Sequence, residues 1–149
     1  MRPIITLTTD FGTVDGYVGE MKGVIATHAP DVQIVDITHD VPPQDVERAR
    51  LTVARVWRRF PVGTIHVVVV DPGVGSARAA LAVASDERFL VGPDNGVLSP
   101  ALLVAGIRAV EAALACGNLF ESRNLTVHTA VQDALHAHAL LQRDVDYIV

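Results

Sequence analysis

The run Thr64-Ile65-His66-Val67-Val68-Val69-Val70 is built almost wholly from β-branched side chains. Branching at Cβ suits extended backbone, and a run without a polar face has no side to turn toward water. It therefore predicts a strand covered on both faces, in the middle of its sheet. Pro61-Val62-Gly63 before it and Asp71-Pro72-Gly73 after it are turn sequences that bound the strand on either side. A strand of this kind needs a layer above and a layer below.

The rest of the chain supplies those layers. Short β-rich segments are predicted at Ile4 to Thr8, Gln33 to Ile37, Ala79 to Ala84 and Phe89 to Val91, and helices at Tyr17 to His28, Asp45 to Phe60 and Leu102 to Leu114. Ala29-Pro30-Asp31 stops the first helix, Val41-Pro42-Pro43 precedes the second, and Asp45 is placed to cap it. Alternation of strand and helix predicts an α/β fold, a mainly parallel sheet sandwiched by helices. At 149 residues the chain reads as one domain, 1–149. Thr126 to Val131 has strand character and Asp133 to Leu141 helical periodicity.

Several function classes drop out. A net charge of −5 argues against a nucleic-acid footprint. No apolar run approaches the roughly 20 residues of a membrane helix. The N-terminal segment reads as a strand without a basic leader, so a cytoplasmic location is expected. The single Cys116 has no Cys/His spacing around it, and no metal site is expected. The expected partner is a small molecule or another protein chain.

Two turns carry the chemistry. In Thr9-Asp10-Phe11-Gly12-Thr13-Val14-Asp15-Gly16, two acids five residues apart sit where the first strand hands over to its helix. Open α/β sheets bind ligands at the carboxyl ends of their strands, so these carboxylates are placed to accept hydrogen bonds from vicinal hydroxyls, as a ribose offers. Alternatively, Asp15 caps the helix and Asp10 only shapes the turn. No Gly-x-Gly-x-x-Gly or P-loop pattern follows the strand, which suits a ribose without a phosphate. In Asp71-Pro72-Gly73-Val74-Gly75-Ser76-Ala77-Arg78, an acid follows the most buried strand. Arg78, opening the next strand, is placed to fold back and hold that acid ionised, either for catalysis or as a staple across the loop. Asp94-Asn95-Gly96 is a strong turn sequence, with Asn95 a further ligand contact or a purely structural residue.

Thr-Thr-Asp-Phe-Gly, Tyr-Val-Gly-Glu-Met-Lys-Gly-Val, Asp-Ile-Thr-His-Asp-Val-Pro-Pro, Asp-Pro-Gly-Val-Gly and Gly-Pro-Asp-Asn-Gly occur in that order over about residues 3 to 100. The set resembles the S-adenosylmethionine hydrolases, or hydroxide adenosyltransferases, which are related to the fluorinating and chlorinating enzymes using the same substrate. The resemblance implies attack of water or hydroxide on the ribose C5′, releasing adenosine and methionine. It implies Asp71, Arg78 and His128 as the catalytic group and no cofactor beyond the substrate. Asp10, Phe11, Asp15, His39, Gln44 and Asn95 would form the binding set. The halogenating relatives carry other residues where Asp71 and Arg78 stand, so water is the expected nucleophile.

The family's histidine motif is matched only in Thr126-Val127-His128-Thr129-Ala130, and the tail departs from the family pattern from about residue 118. Family members continue into a C-terminal β-barrel-like domain, expected to be absent here, and form trimers with sites between subunits. The resemblance thus implies a homo-oligomer, a trimer where that interface survives. The alternative is a catalytically inactive module that keeps nucleoside binding or assembly without turnover.

Overall fold

The computed structural model describes residues 2–102. They run as β1 (Ile4–Thr9), α1 (Tyr17–His28), β2 (Gln33–Thr38), α2 (Val46–Val56), a 3-10 turn (Trp57–Arg59), β3 (Ile65–Val69), β4 (Ala80–Ser85), β5 (Arg88–Pro93) and α3 (Ser99–Leu102). The strands form one five-stranded sheet in the order β2-β1-β3-β5-β4. The β-branched run is its central strand, with Ile65 through Val68 buried. The predicted helix Leu102 to Leu114, beyond its first residue, lies outside the described residues, as do Cys116 and the segments 126–131 and 133–141.

Side-chain alternation divides the core into two layers. Ile5 and Leu7 of β1, with Ile65 and Val67 of β3 and Val91 of β5, pack against Met21 and Ile25 of α1. The alternate positions Val68, Val70, Val83 and Leu90 meet Ala49 and Val53 of α2, Trp57 and Ala101. Successive residues of a strand point to opposite faces, so α1 covers one side of the sheet and α2 and α3 the other.

β1 is parallel to both β2 and β3, and β3 is parallel to β5. β4 is antiparallel to β5, because only Asp86 and Glu87 join the pair Ser85↔Arg88. Both linking residues have positive φ, 49° and 57°, as a two-residue hairpin turn demands. The mainly parallel expectation holds, with one reversed strand at the rim.

The helix expected from Asp45 to Phe60 is instead shorter. Asp45 Oδ1 accepts the Arg48 N–H at 2.8 Å, the cap that its position predicts. At the other end α-helix gives way at Trp57 to the 3-10 turn, and Phe60 is extended, with φ −88° and ψ 154°. Pro61 accounts for the extended Phe60, since its ring disfavours the helical conformation at the preceding residue.

From β1 the chain crosses to β2 on one side, then returns through α2 to β3 on the other. The loops after β1 and β3 therefore diverge, leaving a crevice at the carboxyl end of the sheet where ligands of open α/β folds bind.

Candidate active site at the carboxyl end of the sheet

Thr9 pairs with Val69 across β1 and β3. Asp10 and Val70 thus follow side by side, with Asp71 one residue further, on strands about 4.8 Å apart. Asp10 anchors one oxygen: Oδ2 accepts the Gln44 N–H at 2.7 Å, while Oδ1 has no partner among the described residues. Gln44 holds φ 65°, a left-handed conformation that a residue with a Cβ adopts at a cost of roughly 1 to 3 kcal/mol. That strain turns its amide toward Asp10.

The β2 loop is stitched to the same turn. Gly12, at φ 71°, donates its N–H to the His39 carbonyl at 2.8 Å. The His39 ring is 4% exposed, its Nδ1 2.8 Å from Thr9 Oγ1 and its Nε2 3.2 Å from Asp36 Oδ1. Partial burial pushes the Asp36 carboxyl up, but the hydrogen bond and charge of Lys22, with His39 close by, outweigh it and hold the group below the usual aspartate value.

At the end of β3, Asp71 Oδ1 accepts the Gly73 N–H at 2.9 Å and the Arg78 Nη1–H at 2.6 Å. Its Oδ2 has no partner among the described residues. The Asp71 side chain is 10% exposed and that of Arg78 31%. The fold-back of the loop occurs as expected, although Arg78 stands before β4 rather than opening it, since β4 begins at Ala80. The guanidinium lies across Gly73 so closely that a Cβ there would sit 2.5 Å from Nη2 and 2.8 Å from Cζ. A bare backbone makes that approach possible.

The other expected residues divide. Asn95 donates from Nδ2 to the Val70 carbonyl at 2.9 Å and accepts the Val97 N–H at 3.1 Å, so its amide ties the β5 loop to the end of β3. Asp15 is exposed, and its Oδ1 accepts the Tyr17 N–H at 3.3 Å as α1 begins, the capping alternative. Phe11 is half-buried, its ring centroid 6.0 Å from that of Tyr17. His128 lies outside the described residues. A groove of about 350 Å³ lined by Glu20, Gly23, Val24, Thr27 and His28 runs along α1; none of the expected site residues borders it, and the strand ends remain the better site on chemistry.

Sequence reasoning missed Thr9, Lys22 and Asp36, whose roles arise from parallel pairing of β1 with β2 and from the placement of α1 beside them. It also passed over His66 inside the β-branched run. There the ring is buried, 2.7 Å from Thr6 Oγ1, with Phe60 packed edge-on. Burial pushes its imidazole down to about 4, against the pull of the Trp57 carbonyl and with a smaller push from the Arg88 charge. A polar residue amid valines is the one signal that pointed to it.

Residues 5–142 match the SAM hydroxide adenosyltransferase N-terminal domain. An (R)-S-adenosyl-L-methionine hydrolase of Salinispora tropica is 45% identical over 108 residues, which are 72% of this chain and 41% of that protein. A conserved protein of Thermotoga maritima superimposes with a TM-score of 0.69 at 33% identity, over 88% of this chain and 54% of its own. One from Thermus thermophilus gives 0.63 at 43% identity, over 69% and 43%. The chain spans about two fifths of the length of the curated hydrolases it matches.

Proposed function

The chain belongs to the SAM hydroxide adenosyltransferase family, matching its N-terminal domain, and from that premise we propose that it hydrolyses S-adenosylmethionine to adenosine and methionine. One observation carries the reading: at the crevice between β1 and β3, Asp10 and Asp71 each anchor one carboxylate oxygen to the protein and keep the other unpartnered among the described residues. One acid then holds ribose hydroxyls while the other addresses the nucleophile.

In the reaction, a water oxygen bonds to C5′ as the C5′–S bond breaks. The bonding pair stays on sulfur, converting the sulfonium to the neutral thioether of methionine, and the water proton passes to a base. Asp71, paired with Arg78, orients the water, and His128 completes the catalytic group. Asp10 holds the ribose hydroxyls and Asp15 lies close to the sugar, with Phe11, His39, Gln44 and Asn95 around the pocket. A sulfonium leaves without help from a metal or redox cofactor, so the reaction calls for neither. Fixing the nucleophile in line contributes roughly 7 to 11 kcal/mol, more than the ~10² to 10⁴ in rate from a base.

The same reading makes the chain a homo-oligomer, a trimer where the family interface is retained, acting in the cytoplasm on a small-molecule substrate without nucleic acid or membrane partners. No helix among the described residues is long and apolar enough to cross a membrane.

The test is incubation of the purified chain with S-adenosylmethionine, with adenosine and methionine followed by chromatography against a no-protein control. Equal appearance of both products supports the hydrolase. No product, with adenosine still raising the melting temperature, overturns it in favour of a nucleoside-binding module without turnover.

A further inference from the structure

Asp10 is held in place by more than its own backbone. Thr9, the last residue of β1, is buried, and its Oγ1 accepts the Phe11 N–H at 3.3 Å while contacting His39 Nδ1 at 2.8 Å. These two contacts bracket Asp10, one on the residue before it and one on the residue after. Thr9 Oγ1 thus joins the Phe11 amide to one nitrogen of the His39 ring, and the ring's opposite nitrogen is Nε2. That nitrogen faces Asp36 Oδ1 at 3.2 Å, although not in good hydrogen-bond alignment. The other oxygen of Asp36 is gripped by Lys22 Nζ at 2.5 Å. A single line of side chains therefore runs from α1 through β2 and the loop after it to the end of β1.

The His39 backbone closes the same turn. Its carbonyl accepts the Gly12 N–H, and the Val41 N–H reaches the Thr9 carbonyl at 3.4 Å. Ring and main chain of one residue thus act on both flanks of Asp10. The ring itself is buried and has its nitrogens directed at protein groups, so it offers a ligand little and the turn a great deal.

We propose that the Lys22–Asp36–His39–Thr9 line is a positioning device that fixes the Asp10 turn in its ligand-ready shape, with His39 as the central positioning residue acting through Thr9. This inference rests on the nucleoside-binding reading for what the turn is held ready to bind. The holding itself is a property of the fold. Displacing a ligand-holding carboxylate by about 1 Å is enough to cost roughly 10²-fold in function, so a relay behind it, buried at His39 and Thr9, has an effect out of proportion to its distance from the ligand.

Thr9→Val keeps the shape of the side chain and removes the hydroxyl, while Thr9→Ser keeps the hydroxyl. Amide exchange by NMR on the full chain reads the turn, and adenosine titration reads the site. With Thr9→Val, exchange at Phe11 and Gly12 is expected to accelerate about tenfold, and adenosine affinity to fall about tenfold. Leu7 and Val67 should keep parent-like protection, which shows that the sheet has folded. Thr9→Ser should bring both readouts back to within about twofold of the parent.

Parent-like exchange at Phe11 and Gly12 in Thr9→Val overturns the proposal, as does a serine variant as damaged as the valine one. Faster exchange with unchanged adenosine affinity overturns the link between the turn and the site. Failure of the parent to bind adenosine sinks the nucleoside reading instead, and the exchange rates still decide whether the line holds the turn.

Discussion

The two ends of the sheet each carry an arginine, and the two use their donors differently. At the amino end of the parallel strands, Arg88 gives Nε–H to the Phe60 carbonyl at 2.8 Å and Nη1–H to the Asp86 carbonyl at 2.7 Å, and Nη2 reaches the Arg58 carbonyl at 3.4 Å. Its side chain is 12% exposed. At the carboxyl end, Arg78 pairs with one carboxylate and stays partly open to solvent. Donors committed mainly to main-chain carbonyls, with one also 3.2 Å from the Asp86 carboxylate, hold a fold together. A cation paired to a single acid at a crevice still has capacity for a ligand, and the acid beside it keeps an oxygen free.

Substitutions at the two ends should therefore separate activity from stability. The largest effect is expected from Asp71→Asn: S-adenosylmethionine cleavage should fall by roughly 10² to 10⁴, with adenosine affinity little changed. Release of adenosine at the parent rate would show that Asp71 has no part in catalysis.

The next effect belongs to the amino end of the strands and to pH. Unfolded, His66 takes a proton near 6.5; folded, only near 4. The unfolded chain thus binds more protons between those values, and stability falls as pH drops through that window, by roughly 3 kcal/mol in full. Urea unfolding at pH 7 and pH 4.5 measures the slope, which His66→Gln should flatten. An unchanged slope in that variant would assign the acid sensitivity elsewhere.

Arg88→Ala comes next, at about 2 kcal/mol of stability, from the loss of charged hydrogen bonds to main-chain carbonyls. Product formation per folded molecule should stay at the parent level. If activity fell with stability intact, the division between the two ends would break. The smallest effect is that of Asp45→Ala, which removes the α2 cap at about 1 kcal/mol and is checked by the melting temperature.

Much of this contrast was legible in the residues themselves. The β-branched run located the central strand because nothing else satisfies side chains that are apolar all round, and an acid followed seven residues later by arginine, across two glycines, announced the fold-back at Asp71. The reversed direction of β4 was not legible, since it hangs on two residues, Asp86 and Glu87, taking positive φ without a glycine. Nor was the line behind Asp10. Lys22 on α1, Thr9 at the end of β1 and the Asp36–His39 pair are far apart in the chain, and parallel pairing of β1 with β2 together with the placement of α1 brings them together. The extended Phe60 was readable in principle from Pro61, whose reach extends to the residue before it.

Gly73 has a consequence for how such a site would be mapped. A scan that replaces residues by alanine treats each change as a deletion, but at this position alanine is an insertion. The atoms it meets are the tip of a long, mobile side chain, so the collision is relieved by swinging Arg78 aside rather than by unfolding. A screen scored on expression or melting temperature would pass Gly73→Ala as silent while the cation had left its acid, and the residue that moulds the pair would be recorded as dispensable.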